Sequence, residues 1–261
     1  MLPVFLTIIA FFASTIGSIC GIGGGVIIKP VLDMIGILNV KSINFLSGCT
    51  VLAMSAYSIL LANISKGCLI EWKTTTPLAV GSVVGGYLGR ELFQATSTIL
   101  GEQAGLVQAI CLLILTTGTM AYTLKKKHIK TLRITSIFIC IVVGLILGVS
   151  SAFLGIGGGP INLIVMFYFF SMSAKTAAQN SLYIILFSQL TSLFTTIITD
   201  QVPQVCLLYL GLMVLGGIMG GICGRKINKR INAKVVDSLF VAMMVIIIGI
   251  NSYNVFKFLC P

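Results

Sequence analysis

Charge is what this sequence has least of. Only 9% of its 261 residues are charged, against about 25% in a typical soluble domain. Hydrophobic residues make up 57%, and mean hydropathy is +1.09. A chain so poor in charge leaves no room for a soluble domain and reads as an all-α polytopic membrane protein. Acidic groups are scarcest, six in all. Asp33 falls late in a short apolar segment, Glu102 and Asp237 at the ends of apolar spans. None is placed clearly mid-membrane, so the carboxylates of a proton relay or cation carrier are lacking. His128 is the single histidine and sits in a basic run. With no nucleophile–His–acid set and no nucleotide-binding loop, enzymatic chemistry has no support. No cofactor or metal is expected.

The eight cysteines, Cys20, Cys49, Cys68, Cys111, Cys140, Cys206, Cys223 and Cys260, contain no Cys-x-x-Cys pair. Most lie in or beside apolar spans, where cysteine behaves as a small hydrophobe. The N-terminal stretch lacks the positive start and small-residue cleavage site of a signal peptide, so it is kept within the fold. The net charge of +11 does not point to nucleic acid, because the basic residues sit in short loops between apolar spans. There they act as topology signals.

What the sequence does contain is a repeat. Gly21-Ile22-Gly23-Gly24-Gly25 returns 134 residues later as Gly155-Ile156-Gly157-Gly158-Gly159. Lys41-Ser42 and Ser47 match Lys175-Thr176 and Ser181 at the same offset. Gly85-Gly86-Tyr87-Leu88-Gly89-Arg90 matches Gly220-Gly221-Ile222-Cys223-Gly224-Arg225 at an offset of 135. The expected organisation is a first transmembrane repeat over 1–124, a basic linker over 125–133 and a second repeat over 134–261. Apolar segments fall at 2–20, 26–38, 43–62, 74–89, 104–124, 134–154, 160–172, 177–198, 205–224 and 236–256. Glycine tolerates backbone conformations that other residues avoid, so each glycine run breaks a helix. A short helix follows, starting at Val26 and at Pro160.

Positive charge discriminates between topologies. Eight simple crossings split the 17 Lys and Arg residues eight against nine, which is no bias. If each glycine-broken segment enters and returns on one side, each half makes three crossings and the second half is inverted. Thirteen of the cations then share one face: Lys66, Lys73, the linker lysines, Arg133, Lys175 and the run from Arg225 to Lys234. Lys29, Lys41, Arg90 and Lys257 keep the other. The positive-inside rule then places the linker in the cytoplasm and both termini outside. The helices preceding the breaks are long for this role, so the hairpins must be deep or tilted.

Broken helices at corresponding places in two halves mark a transporter's binding site. The first turn of each short helix offers free N–H groups and the positive end of the dipole, a setting for an anion. The candidate substrate-binding residues are Gly23, Gly24, Gly25 and Val26, with Gly157, Gly158, Gly159, Pro160 and Ile161. Polar side chains within spans add Asn44, Asn162 and Asn180; Ser47, Thr50, Gln179, Ser181 and Gln189 lie nearby. Such groups face the protein interior, to hold a ligand or to bridge helices. Glycine alone can equally serve close helix packing. That is the reading for the ladders Gly81/Gly85/Gly89 and Gly216/Gly220/Gly224. Arg90 and Arg225 end matching spans and are read as interfacial anchors, with attraction of an anion from opposite sides as the alternative.

At these residues the sequence resembles the sulfite exporter TauE/SafE family, also called the toluenesulfonate uptake permease (TSUP) family. The resemblance rests on the two glycine runs with Pro30, Leu32 and Pro160, on Ala177-Ala178-Gln179-Asn180-Ser181, and on the two Gly-Gly-x-x-Gly-Arg ends. It spans nearly the whole chain. Lys29 and Gln179-Asn180 depart from the pattern, which has an apolar residue and small residues there. The resemblance implies a multi-pass carrier of the inner cell membrane for sulfur-containing or organic anions such as sulfite, thiosulfate or sulfonates. The expected function is secondary transport by alternating access. The expected partners are a small anion and the lipid bilayer, with a coupling ion, proton or sodium, left open. Three alternatives stand beside it. A cation or metal carrier would need carboxylates or His in the spans. A thiol–disulfide electron carrier would need cysteines at symmetric positions, yet Cys20 aligns with Leu154 and Cys223 with Leu88. A membrane scaffold would not need paired helix breaks.

Overall fold

The computed structural model describes residues 2–64, 68–126 and 129–259; of Glu102 only the backbone is described. Lys66, Lys127, His128 and Cys260, which entered the charge and cysteine readings above, lie outside the described residues. The described residues form ten α-helices and one 3-10 turn at Gly101–Gln103. The first half supplies α1 (Leu2–Cys20), α2 (Gly25–Ile35), α3 (Val40–Ile64), α4 (Trp72–Leu100) and α5 (Ala104–Lys125). The second supplies α6 (Ile137–Leu154), α7 (Gly159–Phe170), α8 (Ala174–Ile198), α9 (Leu207–Arg230) and α10 (Ala233–Leu259). Seven of these, all but α2, α4 and α7, are long and apolar enough to cross a membrane. Among the described residues there is no strand, as hydrocarbon requires of a chain that satisfies its backbone internally without closing a barrel.

The halves are interlaced. α1 packs along α9 and α6 along α4, while α3 meets α8 and α5 meets α10. Glycine sets these contacts. A Cβ at Gly81, Gly85 or Gly89 would fall on the backbone of Ile141, Leu145 or Val149 in α6. One at Gly216, Gly220 or Gly224 would fall on Thr7, Phe11 or Thr15 in α1. The ladders are therefore packing faces, and they bring helix axes closer than side chains would permit.

The same contacts give directions. The register advances together along α4 and α6 and along α1 and α9, so each pair is parallel. Gly217 and Gly221 face Thr50 and Met54, so α3 runs parallel to α9. Asn44 and Gly48 of α3 lie with Gln189, Ser192 and Thr196 of α8, and Ser58 and Ala62 with Ala178 and Leu182, so these counterparts are antiparallel. Each broken segment returns to the side from which it came. Leu2 and Leu6 share an apolar recess with Leu32 and Ile35. Leu132 and Ile134, just before α6, donate backbone hydrogen bonds to Tyr168 and Phe169 at the end of α7, at 2.7 and 3.0 Å.

Two spans run further than the hydropathy implied. α4 continues to Leu100 and α9 to Arg230. Arg90 thus lies mid-helix and Arg225 in the last turns of α9; both are buried, 7% and 8% exposed, so the reading of them as exposed interfacial anchors is corrected. Hydropathy drops where a charge appears, but helix formation does not, because neighbouring helices cover the charge.

The glycine ladders yield a clear test. Gly85→Ala or Gly220→Ala is expected to lower the apparent Tm in detergent, since overpacking a filled contact costs about 1–3 kcal/mol. Gly118→Ala has open space around it and is expected to leave Tm unchanged or raise it, because helical glycine costs about 0.5–1 kcal/mol relative to alanine.

Candidate functional site

The two glycine breaks meet back to back at the centre of the bundle. Gly21 and Gly23 both have φ +76°, Gly155 +65° and Gly157 +79°. This left-handed backbone reverses each chain within four residues. Gly25 lies against the Ile156 carbonyl of the opposite break, and Gly159 against Val26. Gly23 and Gly157 both face Val51 of α3 and Ile185 of α8, which are fully buried and occupy equivalent positions in the repeat. The apolar pair seals the meeting point.

Around this seal, buried polar groups lack protein partners. Backbone N–H groups of Gly23, Gly24, Gly25 and Val26, and of Gly157, Gly158, Gly159 and Ile161, have no acceptor among the described residues. Pro160 has no N–H to satisfy and occupies the first turn of α7, where proline is favoured. Asn162 is fully buried and its Nδ2 and Oδ1 are both without partners; it lies over Gly158. The hydroxyls of Ser14, Ser47 and Ser181 are in the same condition, the last two being repeat equivalents. An unpaired buried polar group costs about 1–3 kcal/mol, so a cluster of them marks a place built for something else to bind. Asn44 donates through Nδ2 to Gln108 at 3.4 Å, while its Oδ1 lies at Gly155 without a donor.

Asn180 has a different position from the other candidates. Its Oδ1 accepts from the Glu71 N–H at 2.9 Å and from the Thr75 hydroxyl. Its Nδ2 donates to the carbonyls of Leu69, at 3.0 Å, and Thr176, at 2.7 Å. Gln179 Oε1 accepts from the Leu69 N–H at 2.8 Å. Both amides strap the segment before α4 onto the start of α8. Their polarity has a structural cause.

Sequence reasoning missed the meaning of Lys29. Its Nζ lies 3.1 Å from Asp33 Oδ2, one turn along α2, with both side chains almost fully buried. The i, i+4 spacing was visible; the burial was not. Lys257 Nζ caps the end of α2 by donating to the carbonyls of Asp33 at 3.2 Å and Met34 at 2.9 Å. Asn254 donates to Pro30 O at 2.9 Å. The charge of each α2 residue is thereby answered locally, and α10 holds the short helix in place. Asp237, read as a span-end carboxylate, pairs with Lys126 at 2.7 Å.

Two broken hairpins sealed against each other inside a bundle of apolar helices define a polytopic membrane protein of the transporter type. The chain belongs to the family described as Sulfite exporter TauE/SafE, whose profile matches residues 6–251. It is similar to the Bacillus subtilis (strain 168) protein named Probable membrane transporter protein YunE. The two are 25% identical over 220 residues, with 76% of this chain and 80% of that protein covered. No solved structure matches. The chain is a multi-pass membrane transporter.

Two substitutions separate strap from site. Asn180→Ala is expected to lower the apparent Tm, each lost hydrogen bond being worth about 1 kcal/mol, and to leave transport by the folded fraction unchanged. Lys29→Met, which strands Asp33, is expected to cost about 3–5 kcal/mol. The double variant Lys29→Met/Asp33→Leu is expected to recover most of that in the same thermal assay.

Proposed function

We propose that this protein is a secondary transporter of small anions, sulfur-containing or organic, working by alternating access around the paired helix breaks. The carrying observation is the set of buried donors without protein acceptors at Gly23–Val26 and Gly157–Ile161, joined by Asn162, Ser47 and Ser181. Each set sits at the positive end of a helix dipole. No carboxylate takes part, since Asp33 is held by Lys29. That combination suits an oxyanion such as sulfite, thiosulfate or a sulfonate. The family description and the transporter relative support the same class. Asn44 stands at the edge of this site beside Gly155, and Asn180 is left out of it.

The proposed arrangement in the cell membrane is an inverted repeat with the basic linker cytoplasmic and both termini outside. Antiparallel counterparts α3 and α8 support it, as do the two returning hairpins and the positive charge gathered on one face. In the closed conformation Val51 and Ile185 cover the glycine backbone. Separation of α3 from α8 at this pair would admit the anion to one break or the other.

Saturable stabilisation of the purified protein by a sulfur oxyanion, matched by its flux in proteoliposomes, is expected. Asn162→Leu is expected to fold as well as wild type, because its amide has no partner to lose, yet to raise Kd about tenfold or more, the scale of one charge-assisted hydrogen bond. Stabilisation by cations alone, or an unchanged Kd in Asn162→Leu, would sink this site. For topology, Lys130→Cys and Lys234→Cys in a cysteine-free background are expected to react with an impermeant maleimide from the cytoplasmic side, and Asn39→Cys from outside. Labelling of all three from one side would refute the inversion.

A further inference from the structure

Two cavities flank the sealed centre, and the repeat maps one onto the other. The first is lined by Asn44, Gly48, Arg90, Gly155, Gln189 and Thr196, with Ser192 and Ala152 beside them. The second is lined by Ser18, Ser58, Ala178, Gln179, Leu182 and Arg225 among others. The offsets of 134 and 135 carry Ala178 onto Asn44, Leu182 onto Gly48, Ser58 onto Ser192 and Arg225 onto Arg90. Because α3 and α8 are antiparallel, the cavities lie at opposite ends of that pair. Each holds one arginine on a helix that a glycine ladder clamps.

Arg90 is the informative member. It is 7% exposed, and its Nε has no acceptor. Among the described residues no carboxylate forms an ion pair with it. Its guanidinium stacks over Phe93 at 5.4 Å from the ring centroid, which fixes its orientation without neutralising it. Glu91, next in the chain, acts on it electrostatically without forming an ion pair, and a buried cation without a close counter-ion is costly. Around it the cavity presents the hydroxyls of Ser192 and Thr196 and the amides of Asn44 and Gln189, and no acidic group. The wall includes Gly155, the first residue of the second break, so the cavity ends where the proposed central site begins.

We propose that the Arg90 cavity is a binding station for a small free oxyanion with a sulfite or sulfonate head, at one end of the path to the glycine breaks, and that the Arg225 cavity is its counterpart at the other end. The inference rests on the anion-carrier reading above and adds to it a second, charged site that is formed while the centre is closed. The planar guanidinium takes two oxygens of such a head, and the Ser192 hydroxyl supplies a donor to the third.

The test uses full-length protein in phosphatidylcholine nanodiscs, which carry no anionic headgroup. Sulfite, thiosulfate and sulfoacetate are titrated by calorimetry against wild type, Arg90→Gln, Arg90→Lys and Ser192→Leu. Arg90→Gln is expected to raise Kd at least about tenfold, as loss of a charged hydrogen-bonding partner does. Its apparent Tm without anion is expected to hold or rise, because an unpaired buried charge has gone. Arg90→Lys is expected to recover part of the affinity. Ser192→Leu, which fills the cavity and leaves Arg90 in place, is expected to weaken binding as well, and it decides the matter if Arg90→Gln does not fold. Wild-type binding and flux with Kd unchanged in Arg90→Gln and Ser192→Leu would overturn the station and leave the central site standing. Arg90-dependent binding that appears only when phosphatidylglycerol is added would also overturn it, in favour of a lipid headgroup. Absence of any anion binding or flux in wild type would bring down the carrier reading and the station together.

Discussion

Everything in this fold follows from having to hide broken backbone in hydrocarbon. A continuous helix satisfies its own N–H and C=O groups; a broken one exposes them, and lipid supplies no partner. The chain breaks twice, at Gly21–Gly24 and at Gly155–Gly158, and places both breaks where only protein surrounds them. Each break is covered by the other and by Val51 and Ile185. Covering them demands close approach, and close approach demands glycine at Gly25 and Gly159 as much as in the breaks themselves. The ladders of α4 and α9 meet the same demand. They draw α6 and α1, the helices that lead into the breaks, tightly against their partners.

The same constraint sorts the charged and amide side chains. Groups with a structural task make protein contacts: Asn180 straps the segment before α4, Lys29 pairs with Asp33, and Asn254 and Lys257 hold α2. Asn162, with both side-chain polar atoms unpartnered, lies at a break, and Arg90, with its Nε unpartnered, lines a cavity beside it. In a medium where an unpaired polar atom is expensive, partnering distinguishes a strap such as Asn180 from these residues better than polarity alone. Residues of one type fall on both sides of the line, as Asn162 and Asn180 do.

Much of the architecture was legible in the sequence because its signals are periodic or repeated. Long apolar runs set the spans, and the duplicated glycine pentad set the breaks within one or two residues. The ladders were read as packing faces from their four-residue spacing. What was not legible depends on neighbours distant in the chain. Hydropathy ended α4 at Gly89 and made Arg90 an anchor, because no single stretch records that α6 and α8 would cover it. Asn180 and Asn162 are alike as letters; only the loop at Leu69–Glu71 distinguishes them. The Lys29–Asp33 pair was visible as spacing, but burial turned it from a surface pair into an internal one.

The interlacing also constrains how the molecule can move. If the two sequence halves rocked as rigid bodies, α1 would part from α9 and α6 from α4. Those are the most intimate contacts in the bundle, glycine against backbone along three turns. Units that keep them intact combine elements from both halves. α1, α3 and α9 run parallel and pack on one another, and so do α4, α6 and α8. The seam between these two groups contains the α3–α8 contact, with Val51 and Ile185 at its middle and an arginine-bearing cavity at each end. In the proposed alternating access, a small rotation at that seam would open one cavity toward the breaks as it closed the other, and the repeat would make the two movements equivalent.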